Sequence, residues 1–393
     1  MADQRKEKLW TKGFVLTSTV NLMLTLSMYL LLVTMAVYAM EIYGASVSMA
    51  GFVSSIFIIG TLFGRLYGGK NIARIGNRKM LLAGAAAVLA TTALYFVPMG
   101  IYPLMGLRFL HGVALGLAAT ATGTIVAQII PRSRSGEGIG YFSMSVVLAT
   151  AVGPLVGVVL LNQYGFTSIF IFSLIMAAIS LLLSLTVRPP EVEVPASGYK
   201  RFSLSDYFEA RAVPISIVMF VLAFAYSSIL SFVTGYTAEI DLVEAGSFFF
   251  LVYGIAVLLS RPVTGPLMDR KGANIVVYPA LISFAAGMLV ISQADAGWML
   301  LAAALLMGLG YGNFQSISQA LAIKATPRHR MGLANTTYFI ALDLGLGFGP
   351  LALGFIVPML GYRGMYASLV LVILAGLVVY YFVHGRKSGG VTS

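Results

Sequence analysis

The sequence predicts an all-α membrane protein whose twelve transmembrane helices form two six-helix bundles related by a pseudo-two-fold axis. Three observations carry that prediction: a composition too apolar for water, twelve apolar runs long enough to cross a bilayer, and an ordered internal repeat. Of 393 residues, 59% are hydrophobic and only 10% are charged. That is too little charge to cover a water-exposed surface of this size, so most of the surface is expected to face lipid.

A helix crosses the hydrocarbon core in roughly 20 apolar residues. Runs that meet this lie near 14–40, 47–69, 79–97, 101–128, 138–161 and 166–187, then 212–238, 245–267, 275–293, 298–323, 333–358 and 363–384. The first run is longer than a signal-peptide core and is read as a retained span. Most connections are short. The segment 188–211, with Pro189, Pro190 and Pro195 among mixed charges, is the expected cytoplasmic linker between an N-terminal bundle (1–187) and a C-terminal bundle (212–393).

Charge placement sets the expected orientation. With both termini in the cytoplasm of a cell (inner or plasma) membrane, all of the 25 Lys and Arg except Arg108 and Arg363 fall on cytoplasmic segments. The outer loops carry acids instead: Glu41, Glu239, Asp241, Glu244 and Asp295. This is the bias that positive-inside insertion produces. The net charge of +11 is therefore read as topology rather than as a nucleic-acid footprint.

The two halves repeat at an offset of 196 residues, without a gap. Arg65 falls on Arg261, Gly69 on Gly265, Arg74 on Arg270 and Gly76 on Gly272. Gly112 and Gly116 meet Gly308 and Gly312, Gly153-Pro154 meets Gly349-Pro350, and Gly165 meets Gly361. Two parallel six-helix repeats imply an axis along the membrane normal and a substrate cavity between the halves.

Several chemistries are not expected. There is no cysteine, so no thiolate ligand or nucleophile, and the 3 histidines show no metal spacing. No metal or other cofactor is expected. Gly64-Arg-Leu-Tyr-Gly-Gly69-Lys70-Asn71 nearly spells a phosphate loop, but it ends in Asn and follows a membrane run rather than a strand. No cluster of nucleophile, base or metal ligand gathers near one membrane face, so an enzyme is not expected. The spacings Gly60, Gly64, Gly68 and Gly112, Gly116 mark close helix packing.

Two charges lie deep within spans, where an ionisable group costs a few kcal/mol and is a functional candidate by default. Arg108 lies in span four, within Arg108-Phe-Leu-His111-Gly112, and Asp343 lies near the middle of span eleven. For Arg108 the plain alternatives are a structural bond to helix backbone or snorkelling to the outer interface. For Asp343 they are an ion pair or a packing hydrogen bond. Glu41 lies at the outer end of span one and reads as a loop acid or a nearer-surface coupling group. Asn21, Thr25 and Tyr29 recur at i, i+4 and i+8 on span one, and Gln315 and Gln319 at i, i+4 on span ten. Tyr226 on span seven is a further candidate.

The loop after span eight reads Gly265-Pro-Leu267-Met-Asp269-Arg270-Lys-Gly272, and the loop after span two reads Gly69-Lys-Asn-Ile-Ala73-Arg74-Ile-Gly76. Span five carries Ala149-Thr-Ala-Val-Gly153-Pro154-Leu-Val-Gly157. With the Arg108 segment, these motifs resemble the major facilitator superfamily, and in particular its twelve-helix drug–proton antiporters. The resemblance covers nearly the whole chain. It implies the major facilitator fold, with spans one, four, seven and ten facing the cavity, so that Asn21, Thr25, Tyr29, His111, Tyr226, Gln315 and Gln319 become substrate-cavity candidates. It links Arg108 to proton transfer, and the deep acid Asp343 and the nearer-surface Glu41 stand beside it as proton-coupling candidates. It also implies a conformational lock built on Arg65, Gly69, Arg74, Gly76, Gly265, Asp269, Arg270 and Gly272, with Gly153 and Pro154 shaping span five. Ala73 stands where the family carries an acid. The expected activity is proton-coupled efflux of small lipophilic or amphipathic compounds by a monomer in the bilayer. The alternative is carriage of a defined metabolite such as a sugar, an opine-type metallophore or an organic anion.

Overall fold

A computed structural model of the chain describes residues 7–45, 47–190 and 206–386. Most of the expected linker, 191–205, therefore lies outside the described residues. Within them there is no strand, and the long helices number twelve. The first half holds α1 (Lys12–Tyr43), α2 (Val47–Ile75), α3 (Asn77–Ala93), α4 (Ile101–Ile129), α5 (Ser135–Tyr164) and α6 (Phe166–Thr186). The second holds α7 (Val213–Glu239), α8 (Phe249–Lys271), α9 (Asn274–Ser292) and α10 (Gly297–Lys324). The run Met331–Tyr380 is broken at Gly361, where φ is 67°, into α11 (331–360) and α12 (362–380). By length and composition 10 helical segments are able to cross a membrane. α2, with Arg65, Lys70 and Arg74 in its later turns, and most of α11 lie outside those segments.

The repeat is written into the backbone. Gly76 and Gly272 adopt φ of 91° and 86°, and Gly165 and Gly361 adopt 75° and 67°. A side chain is strained at such angles, so glycine at these helix boundaries fixes where each neighbouring helix ends or begins.

The chain forms two compact units. One holds Met1–Arg132, Ser145–Phe208 and Pro327–Thr336; the other holds Ser133–Met144, Glu209–Thr326 and Thr337–Ser393. The first turns of α5 thus pack in the second unit, and those of α11 in the first. In the first unit α4 is the central element, flanked by α2 and α3, while α1 packs along α6. In the second, α10 takes that place beside α8, α9 and α7. α10 widens to a π-helical turn at Gly308–Gly312.

The α2–α4 contact explains its glycines. A Cβ at Gly60 would overlap the Phe109 carbonyl oxygen, and one at Gly64 that of Val113. Reciprocally, a Cβ at Gly112 would overlap the Phe57 carbonyl oxygen and one at Gly116 that of Thr61. Two helices with glycine on both facing stripes approach backbone to backbone, which compensates for the lack of a hydrophobic drive between helices in lipid.

Candidate functional site

Arg108 lies seven residues into α4, about 10 Å along its axis at 1.5 Å per residue. It is fully buried, with 0% exposure. Its Nε donates to the Val53 carbonyl of α2 at 3.3 Å, and its Nη1 donates to the Tyr95 hydroxyl at 3.4 Å. The guanidinium lies 4.4 Å from the centre of the Phe57 ring. Its Nη2 is buried without an acceptor. Tyr95 also lies 2.9 Å from His111 Nδ1 and stacks on Phe170 of α6. The cation is thus held by a carbonyl, a phenol and an aromatic face, with one donor left over.

On α1, Asn21 ties three helices together. Its Nδ2 donates to Ser145 on α5 at 2.8 Å, and its Oδ1 accepts from Thr122 on α4 at 3.0 Å. Thr25 donates to the Asn21 carbonyl at 2.6 Å, a bond within its own helix. Tyr29 is half-buried, and a Cβ at Gly153 would lie 2.8 Å from its Cβ. The Gly153-Pro154 turn of α5 is therefore packed on α1. Its second-half copy behaves alike: a Cβ at Gly349 would lie 2.8 Å from Ser227 Cβ and 2.9 Å from the Phe224 carbonyl oxygen of α7. Glu41 is exposed near the end of α1.

In the second unit Tyr226 is buried in an aromatic stack. Its ring lies 4.0 Å from Tyr311 at 13° and 5.5 Å from Tyr253 at 28°. Tyr311 belongs to the π-helical turn, and Arg261 of α8 donates to the Gly312 carbonyl at 2.8 Å. Gln319 is buried and Gln315 half-buried on α10, where the Gln315 carbonyl accepts from the Tyr338 hydroxyl. Asp343 is half-buried on α11. It and Arg108 belong to different units. In the sequence Arg261 stands out only as a repeat marker, and Tyr95, Tyr253 and Tyr311 carry no mark of their own. The Arg65–Arg261 coincidence was the available signal for the first.

The cytoplasmic motif of the second half forms a clasp. Asp269 Oδ1 accepts from the Gly136 N–H at 2.9 Å and from the Ser135 hydroxyl at 3.4 Å, and Oδ2 accepts from the Glu137 N–H at 2.9 Å. These are the unpaired first donors of α5, at the positive end of its dipole. A Cβ at Gly265 would lie 2.7 Å from Glu137 Cα, so only glycine lets α8 come this close. Arg134 forks onto Glu137 with two contacts of 2.7 Å. Arg270 and Arg74 are exposed.

The first-half counterpart keeps the packing and loses the charge. A Cβ at Gly332, the equivalent of Gly136, would lie 2.7 Å from Ile72 Cγ2, and one at Gly69 would lie 2.7 Å from Thr336 Cβ. Ala73, the equivalent of Asp269, is exposed and offers no carboxylate. Asp269→Asn replaces one acceptor oxygen by a donor facing an N–H. It should weaken the clasp by about 1–2 kcal/mol, roughly tenfold in population. Ala73→Asp should move the conformational balance by adding a second clasp. The chain has no cysteine, so spin-label pairs at introduced cysteines report both shifts directly. Wild-type distance distributions and turnover in Asp269→Asn would reduce the motif to a topology signal.

A twelve-helix repeat with charges buried inside its spans defines a membrane transport protein. The chain belongs to the Major Facilitator Superfamily, whose family model matches residues 17–297 and 238–393; it is a transporter and not an enzyme. It is similar to the multidrug resistance protein MdtG of Citrobacter koseri, at 24% identity over 86% of this chain and 84% of that one. It is also similar to the multi-drug resistance efflux pump PmrA of Streptococcus pneumoniae, at 26% identity over 75% of each chain. Its fold is similar to that of the human organic anion transporter MFSD10, with a TM-score of 0.77 and 15% identity over 93% of this chain and 98% of that chain.

Proposed function

We propose that this transporter is a proton-coupled exporter of small lipophilic or amphipathic compounds, working as a monomer in a cell membrane by alternating access of its two bundles, 1–187 and 212–393. The observation that carries the coupling is Arg108: a fully buried guanidinium with an unused donor, at a depth where charge is costly. The relatives named as multidrug efflux proteins support the direction and the substrate class. Asp343 is the proton-binding acid in this reading, with Glu41 the nearer-surface alternative. Asn21, Thr25, Tyr29, His111, Tyr226, Gln315 and Gln319 contribute to the substrate path. A second reading is carriage of an organic anion, favoured by the positive sign of Arg108, the one fully buried charge among the described residues of the first unit; Arg108 Nη2 would then meet the substrate's carboxylate.

Asp343→Asn tests the coupling, because it keeps the shape and removes the titration. It is expected to abolish transport driven by a pH jump into inverted vesicles while leaving passive exchange partly intact. If it accumulates substrate like the wild type and Glu41→Gln does not, the coupling acid lies at the outer end of α1. Orientation is tested separately. Reporter fusions after Ser388 and within 195–200 should read as cytoplasmic, and one within 240–244 as external. The pair of Arg363 with Asp295 fits that placement, since it neutralises the one basic residue expected in an outer loop.

A further inference from the structure

We infer that Tyr95 and His111 are positioning residues for Arg108, acting through a one-way hydrogen-bond chain that requires His111 to be the neutral imidazole protonated on Nε2. The chain joins two elements and is flanked by two more. Arg108 and His111 lie on α4, Tyr95 lies in the short 3-10 turn Leu94–Phe96 that ends α3, and Phe57 of α2 and Phe170 of α6 close its sides.

The direction follows from what each group is able to do. A guanidinium has only donors, so Nη1 donates to the Tyr95 oxygen. The phenol has one hydrogen, and its other neighbour is His111 Nδ1 at 2.9 Å. Were Nδ1 to carry a proton, the Tyr95 oxygen would accept twice and its own hydrogen would be buried without an acceptor. An unmade bond of that kind costs the full desolvation of the group. With Nδ1 bare, both bonds at the phenol are made: Arg108 gives to Tyr95, and Tyr95 gives to His111. A charged imidazolium is doubly excluded, because both its nitrogens are donors and Arg108 stands on the far side of the same phenol. Tyr95, His111 and Arg108 are 3%, 2% and 0% exposed, so bulk water is kept from all three.

The consequence is geometric. Val53 fixes Nε and the tyrosine fixes Nη1, which leaves Nη2 as the donor turned to other work. Tyr95 and His111 thereby set the direction of the unused donor. The functional half of this inference rests on the coupling role given to Arg108 above, whereas the tautomer does not.

The experiment has two arms on the full-length chain in nanodiscs or inverted vesicles. Nitrogen-15 NMR of histidine-labelled wild type reports the tautomer directly, and with only 3 histidines in the sequence a His111→Asn control assigns the signal. His111 should be neutral at pH 7 with the proton on Nε2. A proton on Nδ1, or on both nitrogens, overturns the inference whatever the transport assay gives. In the second arm, uptake of ethidium driven by a pH jump is measured. Tyr95→Phe and His111→Leu should each reduce it about tenfold, the scale of one hydrogen bond to a charged group. The double variant should be no worse than either single one, because both cut the same chain. His111→Asn places an acceptor oxygen where Nδ1 stands and should recover activity to within about threefold of wild type. Wild-type rates in Tyr95→Phe, or additive losses in the double variant, overturn the positioning role. If wild-type protein itself does not move ethidium, the export reading fails, and the NMR arm still decides the tautomer.

Discussion

Gly112→Val is expected to eliminate folded protein, with no monodisperse species recovered in detergent. Gly112 faces α2, where even a Cβ would overlap the Phe57 carbonyl oxygen and lie 2.9 Å from the Thr61 N–H nitrogen. The obstruction is backbone, so no rotamer change relieves it, and α2 and α4 must part. Parting them also separates Gly60 from Phe109 and Gly64 from Val113 on the same seam. Overpacking a core ordinarily costs about 1–3 kcal/mol. Here a whole helix pair in the centre of the first unit loses contact, and the cost should reach the upper end or beyond. Arg108 and its Val53 partner lie across that seam, so any residual folded fraction should also lose transport. The control is on the same helix: a Cβ at Gly106 meets nothing within 4 Å. Gly106→Ala should be neutral or more stable by about 0.5–1 kcal/mol, the ordinary helix preference for alanine. Fluorescence-detected size exclusion after a heating series distinguishes the two. Equal melting of Gly112→Val and wild type would disprove the seam.

How much of this was legible beforehand depends on which physical signal each feature carries. The spans were legible because lipid demands an unbroken apolar run, and hydropathy reads that directly; the break at Gly361 falls between the last two runs expected, 333–358 and 363–384. The repeat was legible because glycines at positive φ and at helix contacts admit few substitutes, so Gly76 with Gly272 and Gly165 with Gly361 stood out in register. Arg108 was legible as a lone charge in an apolar run. Its partners were not. Tyr95 lies near the end of a span, where tyrosine is common as an interfacial residue, and nothing in the sequence tells a belt tyrosine from a buried one bonded to an arginine. The Val53 carbonyl has no side-chain signature at all. The same holds for the Asp269 clasp: the acid was visible, but its partners are the N–H groups of Gly136 and Glu137, and backbone donors are exposed only by fold. Nor did composition mark the π-helical turn at Gly308–Gly312, because helical periodicity in the flanking residues reads straight through a single inserted residue.

Arg108→Met should lose transport while leaving stability unchanged or higher, and the opposite signs are what identify the residue as functional. A charge at the centre of a membrane helix costs about 2.5–3.5 kcal/mol on insertion scales, which is an upper bound for Arg108, about two turns into α4. Against that stand two bonds to neutral groups at 3.3 and 3.4 Å and one aromatic face. Bonds of that length are weak, and a cation–π contact is worth about 0.5–2 kcal/mol, so the guanidinium at best breaks even. Methionine keeps much of the volume and the contact with the Phe57 ring, and it removes the buried charge. Its cost is the Tyr95 hydroxyl and the Val53 carbonyl losing a donor, which is modest because each keeps another partner, His111 for the hydroxyl and the α2 helix for the carbonyl. Arg108→Ala should lose transport as fully and be less stable than Arg108→Met, since it also opens a cavity. Arg108→Lys should retain partial activity. Its ammonium preserves the positive field but lacks the planar fork that reaches Val53 and Tyr95 together. Uptake driven by a pH jump into inverted vesicles, paired with a thermal melt of each variant, separates these outcomes. Transport by Arg108→Met within about twofold of wild type, on a rate scale where each 1.4 kcal/mol is tenfold, would show that this buried cation is structural and return the coupling role to Asp343 alone.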